Sequence, residues 1–164
     1  MSTTTSEQGG SAEPKLVLPF LAGFYVWARE LSWLIIRLAV GGTLLTHGVN
    51  KFMSVTASAS IAGLAGSFAR RGLEPSVPVA YIVLFNETIG AIFLMLGLFT
   101  RLVAASIAIE FAVLTFVVHY WNGYAWTSPG GGWQFPFMWG LIFFAIALRR
   151  GGPYSLDRKL GWEL

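Results

Sequence analysis

The sequence predicts an all-α, polytopic membrane protein: a bundle of four transmembrane helices with an amphipathic helix in the first outer loop. Apolar residues make up 55% of the 164 residues and charged residues only 12%, and the mean hydropathy is +0.63. A soluble domain of this length does not need so much apolar side chain for its core. Four apolar runs also approach the roughly 20 residues that a helix needs to cross the ~30 Å hydrocarbon core. These runs lie at about 31–50, 79–99, 102–119 and 134–148.

The segments outside these four runs are polar or interrupted. We expect residues 1–30 to comprise a disordered polar terminus and then, at 16–28, an apolar segment that is too short to span. That segment either lies on the membrane surface or extends the first helix. Residues 54–71 carry apolar side chains at helical spacing and are predicted to form the amphipathic helix. Residues 151–164 form a polar tail, in which Ser155 is positioned to cap a last short helix.

The distribution of basic residues predicts the orientation of the bundle. Seven of them fall in the termini and in the loop between the second and third runs, against three in the other two loops. Basic residues favour the cytoplasmic side, so we expect both termini in the cytoplasm and the chain in the inner (plasma) membrane. The seven are Lys15, Arg29, Arg101, Arg149, Arg150, Arg158 and Lys159, and the three are Lys51, Arg70 and Arg71.

Several classes of function are excluded or disfavoured by composition. The chain has no cysteine, so it holds no disulfide, no thiolate redox centre and no Cys-ligated iron–sulfur cluster of its own. There is no basic run with interleaved aromatic residues on a polar surface, which argues against a nucleic-acid partner. The runs are not broken by proline and do not form two related halves, which argues against a small transporter.

Three residues that are charged at neutral pH, Arg37, Glu87 and Glu110, fall well inside the predicted spans. A carboxylate near the middle of a span costs roughly 2.5–3.5 kcal/mol unless it is paired, protonated or wetted. At ~1.5 Å per residue, the three lie roughly 9, 16 and 12 Å from the cytoplasmic end, so they are expected to meet in one layer.

One arginine and two glutamates leave a surplus negative charge, and we expect one carboxyl to hold or share a proton. Arg37 and Glu87 are therefore the candidate catalytic residues, and Glu87 and Glu110 the candidates for proton transfer. Two alternatives remain: a static Arg37–Glu87 pair that only fixes helix register, and an Arg37 that snorkels to the interface.

A second polar set lies toward the outer face. Lys51 is nearly in phase with Arg37 on an ideal helix, so both are expected in one interior column with Glu87. His47 and His119 lie at similar depths, which permits a haem or metal site, a quinone pocket or simple interfacial anchoring. There is no Cys-x-x-Cys-His and nothing else supports haem, and we expect no metal site. The candidate cofactor-binding residues are Lys51, His47, His119 and Gln134.

The outer loops are predicted to cover this polar set. The amphipathic helix and the Trp-rich loop at 120–133 would lie together at the outer interface. An amphiphilic ring such as a quinone would fit between them, with its edges on aromatic side chains and its carbonyls on histidine or lysine. The alternative is ordinary anchoring of the membrane interface by tryptophan and tyrosine.

Several short motifs, in this order and spacing, resemble the DoxX family of small four-helix membrane proteins. They are Arg37-Leu-Ala-Val-Gly-Gly, His47-Gly-Val-Asn-Lys51, Asn86-Glu87-Thr, Gly97-Leu-Phe-Thr-Arg101, His119 and Gly152-Pro-Tyr-Ser-Leu-Asp157. The resemblance covers residues 31–157. Some relatives form part of a thiosulfate:quinone oxidoreductase of the respiratory membrane, and others are linked to membrane-associated redox defence. Members often carry a glutamate where the fourth span begins; here it is Gln134, which weakens an enzymatic interpretation.

Two hypotheses of different classes follow. In the first, which the resemblance favours, the protein is a redox-associated subunit of the bilayer that binds a quinone and works with a membrane or soluble oxidoreductase subunit. In the second, it is a non-catalytic assembly or anchoring subunit. A small transporter and a bis-His haem protein have less support, and the sequence leaves open whether the protein is itself an enzyme.

Overall fold

The computed structural model describes residues 16–57 and 60–161, and every regular element in these residues is helical. The predicted disorder of the first residues falls outside the described part of the chain. The α-helices are α1 (Ala22–Ala57), α2 (Ala62–Ala69), α3 (Ser76–Phe85), α4 (Ala91–Leu96), α5 (Thr100–Val113), α6 (Gln134–Arg149) and α7 (Leu156–Leu160). Two π-helical turns, Asn86–Gly90 and Leu114–His119, and two 3₁₀ turns, Pro19–Leu21 and Tyr120–Asn122, continue these helices.

The predicted all-α membrane bundle is confirmed. Three continuous helical segments are long and apolar enough to cross a membrane, Pro19–Ala57, Ser76–Leu96 and Thr100–Asn122, and a shorter apolar helix covers Gln134–Arg149. The first segment has 39 residues, well beyond the expected 31–50. Helix α1 is already continuous from Ala22, because nothing between the apolar stretches breaks helical geometry.

The helix between the first two spans is shorter than the sequence pattern predicted. Only Ala62–Ala69 forms α2, and the first residues of the expected 54–71 segment belong to the end of α1. The apolar face of α2 packs Ala65 and Phe68 against Ala80 and Val83 of α3. The helix therefore lies over one end of the bundle, at the approach to the second span.

The main core lies between α5 and α6. The ring centroids of Phe111 and Phe143 are 5.2 Å apart, and Ile107 beside them is completely buried. Helix α1 joins the same cluster through Val40 and Leu44. This apolar layer fixes the positions of the three long spans, and the polar side chains of the interior lie on either side of it.

Helix α1 and the π turn of the second span approach each other at Gly48. A Cβ atom at this position would collide with the backbone carbonyl of Glu87 and crowd the Thr88 methyl group. Only glycine permits this distance, as in other close helix contacts within membranes. The contact brings the end of α1 directly against the residue that carries the buried carboxylate.

Substituting Gly48→Ala is expected to destabilise the protein by about 1–3 kcal/mol or more, since the obstacle is backbone and cannot rotate away. Thermal unfolding in detergent, followed by circular dichroism, measures the loss. Gly42→Ala on the same helix is the matched control, because a Cβ there meets nothing within 4 Å. Equal stability of the two variants would mean that the helices are not in close contact at Gly48.

Candidate functional site

Glu87 pairs with a lysine of the first span. Its side chain is 3% exposed, and Oε1 accepts a hydrogen bond from Nζ of Lys51 in an ion pair. Gly48 lies three residues before Lys51, one helical turn away, so the same close approach places the ammonium over the carboxylate. Two members of the expected interior column, Lys51 and Glu87, therefore meet.

The second carboxyl lies beside the first. Glu110 of α5 is 7% exposed, and its Oε2 accepts a hydrogen bond of 2.9 Å from Asn86 Nδ2. Asn86 Oδ1 in turn accepts one of 3.0 Å from Ser106 Oγ. Glu110 lies within the electrostatic field of both Glu87 and Lys51. We call these five residues (Lys51, Asn86, Glu87, Ser106 and Glu110) the carboxyl cluster.

The carboxyl cluster carries more negative than positive charge. Glu87 Oε2 and Glu110 Oε1 are both buried without a hydrogen-bond partner among the described residues. A proton held between the two carboxyls would remove the surplus charge and satisfy both oxygens, whereas two adjacent carboxylates repel each other. The surplus expected from the sequence is therefore present, with Lys51 rather than Arg37 as the cation.

The prediction that Arg37 meets Glu87, whether as a site or as a static pair, is wrong. Arg37 is completely buried, its Nη2 donates a 2.6 Å hydrogen bond to the carbonyl of Tyr154, and its electrostatic partner is Asp157. It does not snorkel to the interface either. The sequence argument placed it in one layer with the glutamates because it did not include the tail, which folds back under the spans and supplies closer partners.

We call residues 150–161 the tail latch. Asp157 is 6% exposed and accepts hydrogen bonds from Phe99 N (2.7 Å), Thr100 N (2.9 Å) and Thr100 Oγ1 (2.7 Å). A carboxylate at this position caps the N-terminus of α5. Gly97, at φ +68°, packs against the Arg37 guanidinium, where a side chain would collide. The end of the bundle that the latch covers is called the tail end below.

Two further contacts complete the latch. Trp33 Nε1 of α1 donates a 2.8 Å hydrogen bond to the carbonyl of Arg150. Ser155 caps α7 through Arg158 N (3.2 Å), as its sequence position predicted. The polar tail is therefore a packed element that ties α1 and the start of α5 together.

Among the described residues, neither histidine nor Gln134 forms a hydrogen bond with a member of the carboxyl cluster. His47 is exposed on α1. His119 Nδ1 lies 2.9 Å from the Gly131 carbonyl, which only accepts, so Nδ1 carries the proton. Gln134 begins α6, and its backbone donates to the Tyr124 carbonyl. The described residues contain no group of three or more His, Cys, Asp or Glu that could hold a metal ion.

Asn86 and Ser106 are site residues that the sequence analysis missed. Ser106 lies four residues before Glu110, which places both on one face of α5. Asn86 directly precedes Glu87 in the π turn, where the wider helical turn directs both side chains inward. The spacing between Ser106 and Glu110 could have predicted that the two side chains share a helix face. Nothing in the sequence predicts the π turn that directs Asn86 inward.

Cavities lined by described residues border the carboxyl cluster on more than one side. The Glu110 cavity, of about 340 Å³, is bordered by Glu110 and Ser106 and otherwise by apolar side chains of α2, α3 and α5, such as Phe68. The aromatic cavity, of about 550 Å³, shares Ile82 and Ser106 with it. Both lie between the second and third spans. The aromatic cavity is lined in addition by Tyr81, Phe85, Asn86, Phe93, Phe99, Leu102 and Val103.

The third cavity lies between α1 and α2. This serine cavity, of about 510 Å³, is lined mostly by polar side chains, and Lys51 forms part of its wall. The sequence analysis expected a pocket between the amphipathic helix and the Trp-rich loop. The cavities that reach the cluster lie elsewhere, because α2 packs on α3 while the aromatic residues of the loop, such as Tyr124 and Trp133, pack on each other. The serine cavity is lined by Asn50, Lys51, Ser54, Val55, Ser60, Gly63, Leu64 and Ser67.

Comparisons with known proteins bear on identity. The DoxX family model matches residues 32–120, more than half of the chain. The chain is also similar to an uncharacterized protein of Haemophilus influenzae, with 28% identity over 125 residues, which covers 76% of this chain and 87% of the relative. No solved structure matches. The family match includes the whole carboxyl cluster and leaves the tail latch outside.

Proposed function

Since this chain belongs to the DoxX family of membrane proteins, we propose that it is a redox-associated membrane subunit whose carboxyl cluster supplies protons to a quinone-type carrier. The carrier would lie in the Glu110 and aromatic cavities, between the second and third spans. The excess of basic residues at the tail end supports placing that end, with both termini, in the cytoplasm. The membrane is then the inner membrane of the cell.

The observation that carries this proposal is the position of Glu110. Its carboxyl is buried, borders a cavity whose walls are apolar apart from Ser106 and Glu110 itself, and keeps Oε1 without a partner among the described residues. Ligand sites for amphiphilic rings combine apolar walls with a few polar groups that fix orientation. Ser106, which borders both cavities, provides a hydroxyl beside the carboxyl. These residues fit a quinone ring with one carbonyl at the protonated Glu110 carboxyl, while the Ser106 hydroxyl donates to Asn86 and so holds the neighbour of Glu110 in place.

A bound quinone would take electrons from an oxidoreductase partner and protons from the protein. Glu110 is the residue that donates a proton to the cavity. Glu87 then gives its own proton to Glu110, and Lys51 reprotonates Glu87 through their ion pair. Asn86 holds Glu110 Oε2, which leaves Oε1 for the transfer. Arg37, His47, His119 and Gln134 have no part in this route.

Titration of the purified protein with ubiquinone and menaquinone analogues tests the proposal. We expect saturable binding to the wild type, and a loss of about fivefold in affinity for Ser106→Ala, since that variant removes one hydrogen bond, worth about 1 kcal/mol, from the chain that orients Asn86 and Glu110 at the cavities. Ser32→Ala is the control, because that serine is exposed on α1 and borders neither cavity. Ser32→Ala should bind as the wild type does.

Two results would contradict the proposal. Absence of saturable binding for both analogues would remove the carrier, and equal affinities of Ser106→Ala and Ser32→Ala would place the carrier in another part of the protein. If no carrier binds and the protein still co-purifies at a fixed ratio with an oxidoreductase, the assembly role is the correct one.

A further inference from the structure

We propose that the serine cavity is an aqueous port through which the carboxyl cluster exchanges protons with the side of the membrane on which α2 lies. The inference rests on the proposed function only in taking the cluster to move protons. It adds a site, the cavity between α1 and α2. It also adds a direction for proton exchange, toward the end of the bundle opposite the tail end.

The first argument is the chemistry of the cavity walls. Three serines, Asn50 and Lys51 line the serine cavity, whereas the walls of the Glu110 cavity are apolar apart from Glu110 and Ser106. At about 30 Å³ per water molecule, 510 Å³ holds on the order of fifteen waters. The space is lined only by exposed and half-buried residues, so water reaches it, and the polar groups in its wall give that water hydrogen-bond partners.

The second argument is the position of Lys51 between water and the buried carboxyls. Its side chain is 34% exposed and lines the cavity, while its ion-pair partner Glu87 is 3% exposed. The ammonium is therefore the group through which the cluster meets solvent. When Lys51 passes an Nζ proton to Glu87 Oε1, an N–H bond breaks and an O–H bond forms. The neutral amine then takes a proton from a hydronium ion in the cavity and leaves water.

The third argument is that the opposite direction is closed. Between the cluster and the tail end, α1 and the second span pack through Leu44 and Leu94, both buried in one apolar cluster. At Gly41 even a Cβ would crowd Met95. Beyond this layer lies Arg37, completely buried and permanently charged. An enclosed arginine of this kind repels protons and other cations, as it does in selective pores.

Within the described residues, the serine cavity is therefore the aqueous exit of the carboxyl cluster. Protons that leave Glu110 for a carrier are replaced through Glu87 and Lys51 from the serine cavity. Reduction of a carrier here therefore draws its protons from the α2 side of the membrane, and oxidation returns them to that side.

The absence of cysteine from the chain allows a direct test of the port. Ser67→Cys introduces a thiol in the wall of the serine cavity, and Ser32→Cys introduces one on the exposed face of α1 near the tail latch. In right-side-out vesicles we expect a charged, membrane-impermeant methanethiosulfonate to modify the first. The second should be modified only after the vesicles are opened. No reaction of Ser67→Cys, or reaction only from the side at which Ser32→Cys reacts, would overturn the port.

A second measurement asks whether protons use the cavity. The deuterium exchange of the buried carboxyl proton is followed by infrared spectroscopy, before and after each thiol is modified. Filling the cavity at Ser67→Cys should slow the exchange roughly 10²-fold, the low end of what a positioned proton-transfer group contributes. Modified Ser32→Cys should exchange at the original rate. Equal rates for the two modified variants would overturn the port.

Both readouts are independent of any carrier, so they separate this inference from the proposed function. A protein that binds quinone analogues and fails these tests loses the port alone. A protein that passes them and binds no analogue keeps a proton-exchanging cluster and loses the carrier.

Discussion

Substituting Asp157→Asn should destabilise the protein by about 3 kcal/mol or more, because the buried carboxylate accepts three hydrogen bonds and supplies the negative charge nearest in effect to Arg37. Arg37 is completely buried and keeps its charge at every accessible pH. Its Nε and Nη1 already lack hydrogen-bond partners in the described residues, so little remains to compensate it. The amide that replaces the carboxylate would also direct donor hydrogens toward the Phe99 and Thr100 backbone donors. Unfolding in mixed micelles of dodecyl sulfate and a mild detergent measures the loss.

Glu74→Gln is the matched control for this prediction. Glu74 also accepts a hydrogen bond from a backbone N–H at a helix start, that of Ser76 at 2.7 Å, but it is exposed. An exposed cap contributes about 1 kcal/mol or less. If Asp157→Asn costs no more than Glu74→Gln, the tail latch does not hold the bundle together.

Substituting Lys51→Met alone should cost about 1–3 kcal/mol, the cost of leaving the buried Glu87 carboxyl without its partner, because Lys51 is 34% exposed and Glu87 can take up a proton. Replacing both residues, Lys51→Met with Glu87→Leu, should recover most of that stability, since apolar residues of similar volume replace a buried pair at little cost. The same detergent unfolding assay measures all three proteins. A double variant less stable than the single one would show that the pair contributes net stability rather than a chemical function.

The two Lys51 variants also separate stability from function. The double variant should insert, fold and bind its membrane partners while losing carboxyl proton exchange, because neither the relay nor its aqueous contact remains. Wild-type exchange in that double variant would assign the proton to Glu110 alone and remove Lys51 and Glu87 from the route.

The spans could be predicted because the length of an apolar run is set by the thickness of the bilayer, and residues 79–99 coincide closely with Ser76–Leu96. The burial of Glu87 and Glu110 followed from the same physics, since lipid rejects a carboxylate. The partner of each buried charged side chain could not be predicted in this way. Arg37 and Lys51 share a helix face; the close approach of the helices at Gly48 brings Lys51 to Glu87, and the fold of the tail, distant in sequence, provides the partners of Arg37.

The two π turns also lie beyond what the sequence predicts. Hydrophobic periodicity reports which face of an α-helix is buried, and a single wider turn shifts that phase for the residues that follow. In the second span this turn contains Asn86 and Glu87 themselves. The direction of Asn86 toward Glu110 therefore had no signature in the spacing of the apolar residues.

The tail latch has a consequence for how the chain is made. The contact between Arg37 and Tyr154 joins residues 117 positions apart. At about 5–20 residues per second, the ribosome takes on the order of ten seconds to reach the second of them after the first. During that interval the guanidinium of the first helix remains in the membrane without its final neighbours. A nascent chain that stops before Tyr154 leaves Arg37 without this hydrogen-bond acceptor, so the protein reaches its mature fold only after the tail latch has been synthesised and has docked.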